Sequence, residues 1–212
     1  MSYVVGLTFN PFQENTYLIY DDSKECIIID PGCFDSNEQM RLEQEIERLK
    51  LKPVRLINTH CHLDHIFGNR FVSDQYKLPL ETHEGELQVL KAAPIAAQMY
   101  GIPYPDLSPD PERYIKEGEI IEFGKTKLLT LFTPGHSPAS ISFYCADSAF
   151  VIAGDVLFQG SIGRTDLPGG DYDTLIKSIR EQIFTLPDEV KVFPGHGPST
   201  NVVFKKKNNT IF

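Results

Sequence analysis

Five of the six histidines in this chain lie in three short motifs, and two aspartates occur in or between these motifs. Imidazole and carboxylate are side chains that zinc and neighbouring transition metals bind in proteins. Seven such ligands are more than one tetrahedral or five-coordinate ion uses, whereas two ions that share one carboxylate use them all. The sequence therefore predicts a dinuclear metal site built from His60, His62, Asp64, His65, His136, Asp155 and His196.

The first motif, Thr-His-Cys-His-Leu-Asp-His, packs four of these ligands into six residues after an apolar, strand-like run. On an extended chain alternate side chains share a face, so His60, His62 and Asp64 are expected to converge and Cys61 to face away. Such a concentration of titratable groups without a metal costs desolvation and like-charge repulsion. The sixth histidine, His83, stands alone, and we interpret it as an ordinary surface or packed residue.

Composition and charge restrict the partners of the protein. With 212 residues and 41% hydrophobic content, the chain is expected to form a single domain over residues 1–212. The formal net charge is −9, and residues 205–207 are its only basic run, which argues against a nucleic-acid partner. No apolar run reaches the roughly 18 residues of a membrane span, and the first residues do not resemble a signal peptide. Four cysteines without regular spacing favour a cytoplasmic location.

Hydrophobic periodicity and turn residues predict strands that alternate with helices. The first helix is expected to direct Met40, Ile46 and Leu49 inwards. Helices are expected over residues 36–50, 66–77, 84–98 and 173–186. Strands are expected over residues 3–9, 16–20, 26–30, 54–58, 78–82, 120–123, 127–132, 140–144, 149–153 and 190–193.

Each candidate metal motif falls where a predicted strand ends, which is typical of sites built on loops that a rigid sheet holds in place. The two halves of the chain both mix strands with flanking helices. This pattern indicates an α/β protein with two mixed β-sheets face to face and helices outside them, a four-layer αββα sandwich.

Residues 94–111 interrupt the alternation with five prolines and with Met99, Tyr100 and Tyr104. Because each proline lacks an amide donor and restricts its neighbour, a regular helix is not expected to continue throughout this segment. Two interpretations stay open. The segment is either a lid that offers aromatic surface to a substrate or a packed connection between the two halves.

The order of the seven ligands, four of them in one His-x-His-x-Asp-His string, resembles the metallo-β-lactamase superfamily, whose members form an αββα sandwich. Residues 160–166 and 193–198 are similar to the glyoxalase II-type hydrolases, especially the short bacterial members. The resemblance implies catalytic roles for Asp64 and Asp155, the latter as a bridge between two metals. It assigns His60, His62 and His136 to the first metal, and Asp64, His65 and His196 to the second.

In glyoxalase II a basic residue nine positions after the bridging aspartate contacts the glutathione part of the substrate, and Arg164 has this position here. The competing interpretation of Arg164 is an ion pair with Asp166 or Asp171. Two departures concern the carrier thiol. The sixteen residues after His196 do not provide the C-terminal helical domain of full-length members, and Asp166 stands where an aromatic residue is expected.

The resemblance implies hydrolysis of a small-molecule thioester, such as a hydroxyacylglutathione, at two divalent ions, with zinc foremost and iron or manganese as alternatives. The nearest alternative is a persulfide dioxygenase of the same superfamily, with one iron on His60, His136 and Asp155. A β-lactamase, a flavodiiron carrier and a nuclease are less favoured. A non-catalytic metalloprotein is a further alternative, although shared ligation through Asp155 leaves room for water. These motifs carry no information on the oligomeric state.

Overall fold

Two mixed β-sheets of six strands each are present among residues 1–104 and 106–203, the part of the chain that the computed structural model describes. The first sheet contains, in spatial order, β1 (Tyr3–Phe9), β2 (Glu14–Tyr20), β3 (Glu25–Ile29), β4 (Lys52–Ile57), β5 (Leu80–Thr82) and β6 (Arg113–Tyr114). Strands β1 to β3 pair antiparallel, and β3 to β6 pair parallel. Within this sheet, sequence neighbours are therefore spatial neighbours.

The second sheet has the spatial order β14-β13-β10-β9-β8-β7, with β10 and β13 parallel and the other pairs antiparallel. A short ribbon of β11 and β12 follows β10 along the chain. The strands are β7 (Ile120–Phe123), β8 (Thr126–Phe132), β9 (Ile141–Cys145), β10 (Phe150–Gly154), β11 (Leu157–Phe158), β12 (Ser161–Ile162), β13 (Lys191–Pro194) and β14 (Thr200–Asn201).

The two sheets pack face to face because both present buried apolar side chains to a shared core. Ile27 and Ile29 of the first sheet belong to the same buried cluster as Phe143 and Ile152 of the second. The intervening Ile28 points to the opposite side of β3, as strand alternation requires, and belongs to the cluster under the helices. Because β3 is buried on both faces, its sequence is a continuous apolar run.

Helices cover the outer face of each sheet and complete four layers. Leu42 of the first helix and Leu90 of the fourth pack on the first sheet, and Leu175 packs on the second. The helices are α1 (Ser36–Leu49), α2 (Leu63–Ile66), α3 (Asn69–Tyr76), α4 (Leu87–Tyr100), which follows a 3₁₀ turn at Glu84–Glu86, and α5 (Tyr172–Ser178), which continues as a π-helical turn over Ile179–Ile183. The predicted αββα sandwich is confirmed.

The observed strands differ from the predicted ones by at most two residues at each end, and the prediction omitted the two-residue strands β6, β11, β12 and β14. The inner face predicted for α1 was partly wrong. Met40 is 48% exposed, and Leu42 is buried together with Ile46. The physical reason is the helical period, since positions four apart share a face whereas positions six apart do not.

The helix predicted over residues 66–77 is instead two helices, α2 and α3, separated at Phe67 and Gly68. The amide of Gly68 donates to the carbonyl of Pro31 at 2.7 Å, and a side chain at Gly68 would overlap the sulfur of Cys33. This close approach to the loop after β3 fixes where α3 begins. Helix α2 starts three residues earlier than predicted, which changes the geometry of the ligands within it.

Helix α4 continues through Pro94 to Tyr100, two residues beyond the end predicted at residue 98. The described residues beyond it are anchored. The amide of Ser108 donates to the hydroxyl of Tyr104 at 2.9 Å, and Ser108 Oγ accepts from Asn69 at 2.8 Å. These contacts hold the end of the segment against α3, whereas Tyr100 is half exposed, so the lid and the packed connection both stay predictions. No helix in the described ranges has the length and apolarity that a membrane crossing requires.

Candidate metal centre

The seven candidate ligands come together on the loops and the short helix that follow strands β4, β8, β10 and β13. Six of them form two groups, within each of which the ligand atoms lie no more than 4.8 Å apart. We name these groups the first triad, His60, His62 and His136, and the second triad, Asp64, His65 and His196.

The expectation that Asp64 converges with His60 and His62 was wrong. The extended stretch ends at His62, and Leu63 begins α2. Strand alternation no longer applies inside a helical turn, where successive side chains rotate by about 100°. The turn places Asp64 and His65 in the second triad, as the family resemblance implied. Cys61 does face away, with its sulfur 3.7 Å from the hydroxyl of Thr82.

Asp155 lies between the two triads. Its Oδ1 is 3.5 Å from Nε2 of His65, and its Oδ2 is 3.4 Å from Nε2 of His136 and 3.5 Å from Nε2 of His196. One carboxylate therefore contacts nitrogen atoms of both triads. This is the arrangement that a bridging ligand requires.

Hydrogen bonds on the far side of the rings orient two members of the first triad. His60 Nδ1 lies 3.0 Å from the hydroxyl of Thr59, which in turn donates to Oδ2 of Asp30 at 2.6 Å. Since this hydroxyl proton is used, Thr59 accepts from His60, and the lone pair of His60 is on Nε2. His136 Nδ1 lies 2.7 Å from the carbonyl oxygen of Arg164, which also leaves the lone pair on Nε2.

The imidazoles of the second triad are also oriented through Nδ1, one by a carboxylate and the other by a carbonyl oxygen. His65 Nδ1 is 3.1 Å from Oδ2 of Asp30, so the same carboxylate supports His65 directly and His60 through a hydroxyl. His196 Nδ1 is 3.1 Å from the carbonyl oxygen of Phe12, and its Nε2 is 3.0 Å from Oδ2 of Asp64. Both imidazoles therefore direct Nε2 towards the acidic side chains of the site.

Two glycines allow the loops to approach each other. Gly154 has a left-handed backbone with φ of +52°, and a side chain there would lie 2.6 Å from the hydroxyl of Thr59. At Gly195 a side chain would overlap Oδ1 of Asp155. Only glycine combines this backbone conformation and this absence of bulk. The apolar strands thus deliver their polar loop residues into contact.

Two buried glutamates near the triads were not among the predicted site residues. Glu86 is fully buried and accepts hydrogen bonds from the loops of both His60 and His136. Glu14 is also fully buried, with Oε1 3.9 Å from Nδ1 of His65. Burial raises the pKa of Glu86, and it raises that of Glu14 well above the ordinary value.

A sequence signal for Glu86 exists. Glu86 lies four, seven and eleven residues before the buried Leu90, Ala93 and Ala97, so it continues the apolar face of α4. A carboxylate on such a face is expected to be buried with dedicated partners. Glu14 has no comparable signal, because β2 is buried on both sides and alternation does not distinguish its positions.

The triads differ in electrostatics. Burial lowers the pKa of His60 well below its ordinary value and that of His62 to about 3, and neighbouring imidazoles act in the same direction. Burial also disfavours charge on His65, but the carboxylates of Asp64 and Asp155 outweigh it and raise the pKa of His65 well above normal. The first triad thus presents neutral imidazoles, the form that binds metal, and the second triad favours positive charge.

The residues present fit a metal. Within the described chain, Nε2 of His60, Nε2 of His65 and Oδ1 of Asp155 are buried without a hydrogen-bond partner. A buried polar atom without a partner costs roughly 1–3 kcal/mol, and three such atoms converge here from two sheets. Divalent ions accept both the imidazole lone pairs and the carboxylate oxygens. The donor set therefore matches the metals that such sites bind.

Arg164 forms the ion pair that was its competing interpretation. Its guanidinium donates to both carboxylate oxygens of Asp166, at 2.7 and 2.6 Å, and both side chains are exposed. Asp171 has another role, since it caps α5 by accepting from the amide of Thr174 at 2.7 Å. The backbone of Arg164 already contributes to the site by holding His136.

The chain belongs to the metallo-beta-lactamase superfamily, because residues 9–196 match the model of that family. The matched range contains all seven candidate ligands, and two mixed sheets flanked by helices are the architecture of its solved relatives. The protein is therefore a metal-binding hydrolase of this fold.

Two relatives and two solved structures are similar over almost their whole length. The probable metallo-hydrolase YqgX of Bacillus subtilis is 40% identical over 202 residues, covering 94% of this chain and 92% of YqgX. The hydroxyacylglutathione hydrolase GloC of Haemophilus influenzae is 38% identical over 199 residues, covering 93% and 92%. The BLEG-1 B3 metallo-beta-lactamase has a TM-score of 0.90 at 34% identity, covering 99% of both chains. TTHA1623, solved in a di-iron-bound form, has a TM-score of 0.88 at 35% identity, covering 99% and 100%.

Proposed function

We propose that this protein hydrolyses small-molecule thioesters, such as hydroxyacylglutathiones, at two divalent metal ions held by the two triads and Asp155. The observation that carries the proposal is the position of Asp155, whose two oxygens contact imidazoles of both triads. The 38% identity to the hydroxyacylglutathione hydrolase GloC, over more than nine-tenths of both chains, supports this substrate class.

Bound in this way, the metal ions would supply a water molecule of lowered pKa as the nucleophile and would polarise the thioester carbonyl. The chain's own residues prepare the site. Thr59 and the carbonyl of Arg164 keep the Nδ1 protons of His60 and His136 directed outwards, so that both Nε2 lone pairs point into the site. In the overall reaction water adds to the carbonyl carbon, the carbon–sulfur bond breaks, and a carboxylic acid and a thiol are released.

Zinc is the metal that we propose first, because three imidazoles in the first triad and a mixed imidazole–carboxylate second triad suit it. The di-iron form of the relative TTHA1623 makes iron the leading alternative, and manganese is the third. The four cysteines are free and buried, which supports the reducing cytoplasm as the proposed location.

We propose Arg164 as the residue that contacts the carrier part of the substrate. Its guanidinium is exposed on the same loop whose carbonyl holds His136, and an anionic substrate group would replace Asp166 as its partner. Aromatic side chains lie nearby. Phe158 packs edge-on against His196, and Phe12 packs edge-on against Tyr100.

Two rival reactions use the same centre. Hydrolysis of a β-lactam is favoured by the similarity to BLEG-1, whereas the carboxylate of Asp155 between the triads favours the thioester hydrolase. Oxidation of a persulfide at one iron requires only His60, His136 and Asp155. The completeness of the second triad, with His65 and His196 both oriented by acceptors on Nδ1, favours the hydrolase.

The test combines metal analysis with an activity panel of lactoylglutathione, other thioesters, a persulfide and a β-lactam. Wild-type protein is expected to contain two ions and to hydrolyse thioesters fastest. Asp155→Ala should lose metal and turnover together, because neither triad retains its shared ligand. A variant that keeps both ions and full turnover contradicts the proposal. Oxygen consumption with the persulfide would establish the dioxygenase instead, and preferred β-lactam turnover would establish the lactamase.

A further inference from the structure

Glu86 is a buried carboxylate that touches no candidate ligand side chain and yet connects the loops that carry all three members of the first triad. Its Oε2 accepts from the amide of Cys61 at 3.0 Å. Its Oε1 accepts from the amide of Ala139 at 2.8 Å. The hydroxyl of Ser137 lies 2.7 Å from each of the two oxygens.

The donors to Glu86 lie next to the ligands of the first triad. Cys61 stands between His60 and His62, and Ser137 immediately follows His136. The two loops lie 25 and 53 residues from Glu86 along the chain and come from different sheets. The Glu86 carboxylate thus joins the two loops through its side chain, in addition to the backbone hydrogen bond that the amide of Ile141 donates to the carbonyl of Thr59 at 2.9 Å.

The secondary structure around Glu86 holds this carboxylate in place. Glu86 ends the 3₁₀ turn at Glu84–Glu86 and directly precedes α4, whose buried face holds it against the first sheet. No hydrogen bond or ion pair of Glu86 within the described residues reaches Asp64, His65 or His196. Its direct hydrogen bonds therefore lie next to ligands of the first triad.

We propose that Glu86 is a positioning residue that sets the geometry of the first triad and thereby controls the affinity of the first metal ion alone. This inference rests on the proposed metal centre. A glutamate is required because both oxygens must accept. Glutamine has one acceptor oxygen and one NH₂ group, so an NH₂ would face the amide N–H of either Cys61 or Ala139. One of the two loops would then be released.

The experiment compares Glu86→Gln and Ser137→Ala with a matched control, Glu81→Gln. Glu81 is also buried and also lies beside α4 in sequence, but its partners are Arg55 and Arg113, away from the triads. Zn²⁺ affinities are measured by chelator competition, and Co²⁺ absorption reports the coordination of each ion. His62→Ala, which lacks a first-triad ligand, identifies the binding step that belongs to the first ion.

Glu86→Gln is expected to weaken the first binding step about 10- to 100-fold, the range for residues that orient metal ligands, and to change the Co²⁺ spectrum of that ion. The second step should keep its wild-type affinity. Ser137→Ala should weaken the same step by a smaller factor. Glu81→Gln should lower Tm and leave both affinities unchanged, because it breaks a buried ion pair elsewhere.

Wild-type affinity for both ions in Glu86→Gln overturns the inference, and so does equal weakening of both steps, which would indicate general loosening of the fold. If Glu86→Gln does not fold, Ser137→Ala decides, and an unchanged first step in that variant overturns the inference. Wild-type protein that binds no metal overturns the proposed centre itself. If the wild type binds two ions and Glu86→Gln changes neither affinity, this inference is overturned and the proposed metal centre is not.

Discussion

The two triads are held in place by different means. In the first triad two rings contact neutral acceptors, a hydroxyl and a carbonyl, and Glu86 accepts from the backbone of the loops. In the second triad the carboxylate of Asp30 contacts His65 directly, and buried Glu14 lies behind it. Carboxylates outside the triads thus lie directly beside His65 of the second triad, whereas they reach the first triad through the hydroxyl of Thr59, the main chain and the shared Asp155. The difference indicates that the two metal positions can be disturbed separately.

The largest separate effects are expected from removing one ligand of each triad. His62→Ala and His196→Ala form a matched pair, because both side chains are partly accessible and their loss leaves the core intact. Each variant should keep about one ion, and thioester turnover should fall by more than the roughly 100-fold that loss of an outer contact produces. Metal content and steady-state kinetics measure this. Loss of both ions from either variant would mean that the positions are not separable.

A smaller effect, on both metal positions at once, is expected from a substitution of Asp30, because its carboxylate supports both triads. Asp30→Asn should weaken both metal-binding steps roughly 10- to 100-fold, because one of its oxygens becomes a donor. Asparagine adopts the left-handed backbone found here, φ of +50°, so the substitution adds little strain. Thr59→Val should weaken the first step more than the second, since the hydroxyl contacts His60 directly and His65 only through Asp30. Chelator competition on both variants tests this, and an Asp30→Asn effect on a single step would contradict it.

The smallest effect on the metal centre is expected from a carboxylate remote from the triads. Buried Asp21 accepts from the amides of Ser23 and Lys125 and from the hydroxyl of Thr126. Burial alone would raise its pKa, but these hydrogen bonds outweigh burial and lower it to about 2. A folded-state pKa below the unfolded value near 3.9 stabilises the fold by about 2 kcal/mol above about pH 4, and this contribution is lost as the pH falls through about 2.

Asp21→Asn should therefore lower the free energy of unfolding by about 2 kcal/mol at pH 7, and the difference from wild type should shrink below about pH 4. Both metal affinities should be unchanged. Urea unfolding at several pH values, together with chelator competition, measures the two quantities. An affinity change as large as that of Asp30→Asn would show that the triads respond to general stability.

The fold and most of the site were predictable because the relevant patterns are local. Continuous apolar runs such as β3 marked buried strands, and polar residues directly after such runs marked the loops. The grouping of the ligands was not predictable from alternation, because it depends on Leu63 beginning a helix three residues earlier than the periodicity suggested. Whether Leu63 continues the extended stretch or begins the helix decides which triad contains Asp64.

The supporting residues were harder to find because their partners are distant in the sequence. The carbonyl of Arg164 has no side-chain signature, and its contact with His136 spans 28 residues. Glu86 could have been recognised from its place on the apolar face of α4. The sequence left two interpretations of the Arg164 side chain, a substrate contact and an ion pair. The structure contains the ion pair with Asp166, and the contact with substrate stays a prediction.

The pairing of Glu14 with His196 across 182 residues of sequence has a consequence for synthesis on the ribosome. The three imidazoles of the first triad have been made once His136 is reached, and the shared Asp155 follows 19 residues later, whereas the second triad waits for His196, 60 residues after His136. At roughly 5–20 residues per second this interval lasts roughly 3–12 s. A nascent chain is therefore expected to be able to capture one ion well before the other, and the shared centre should become active only after the last loop has joined the first strands.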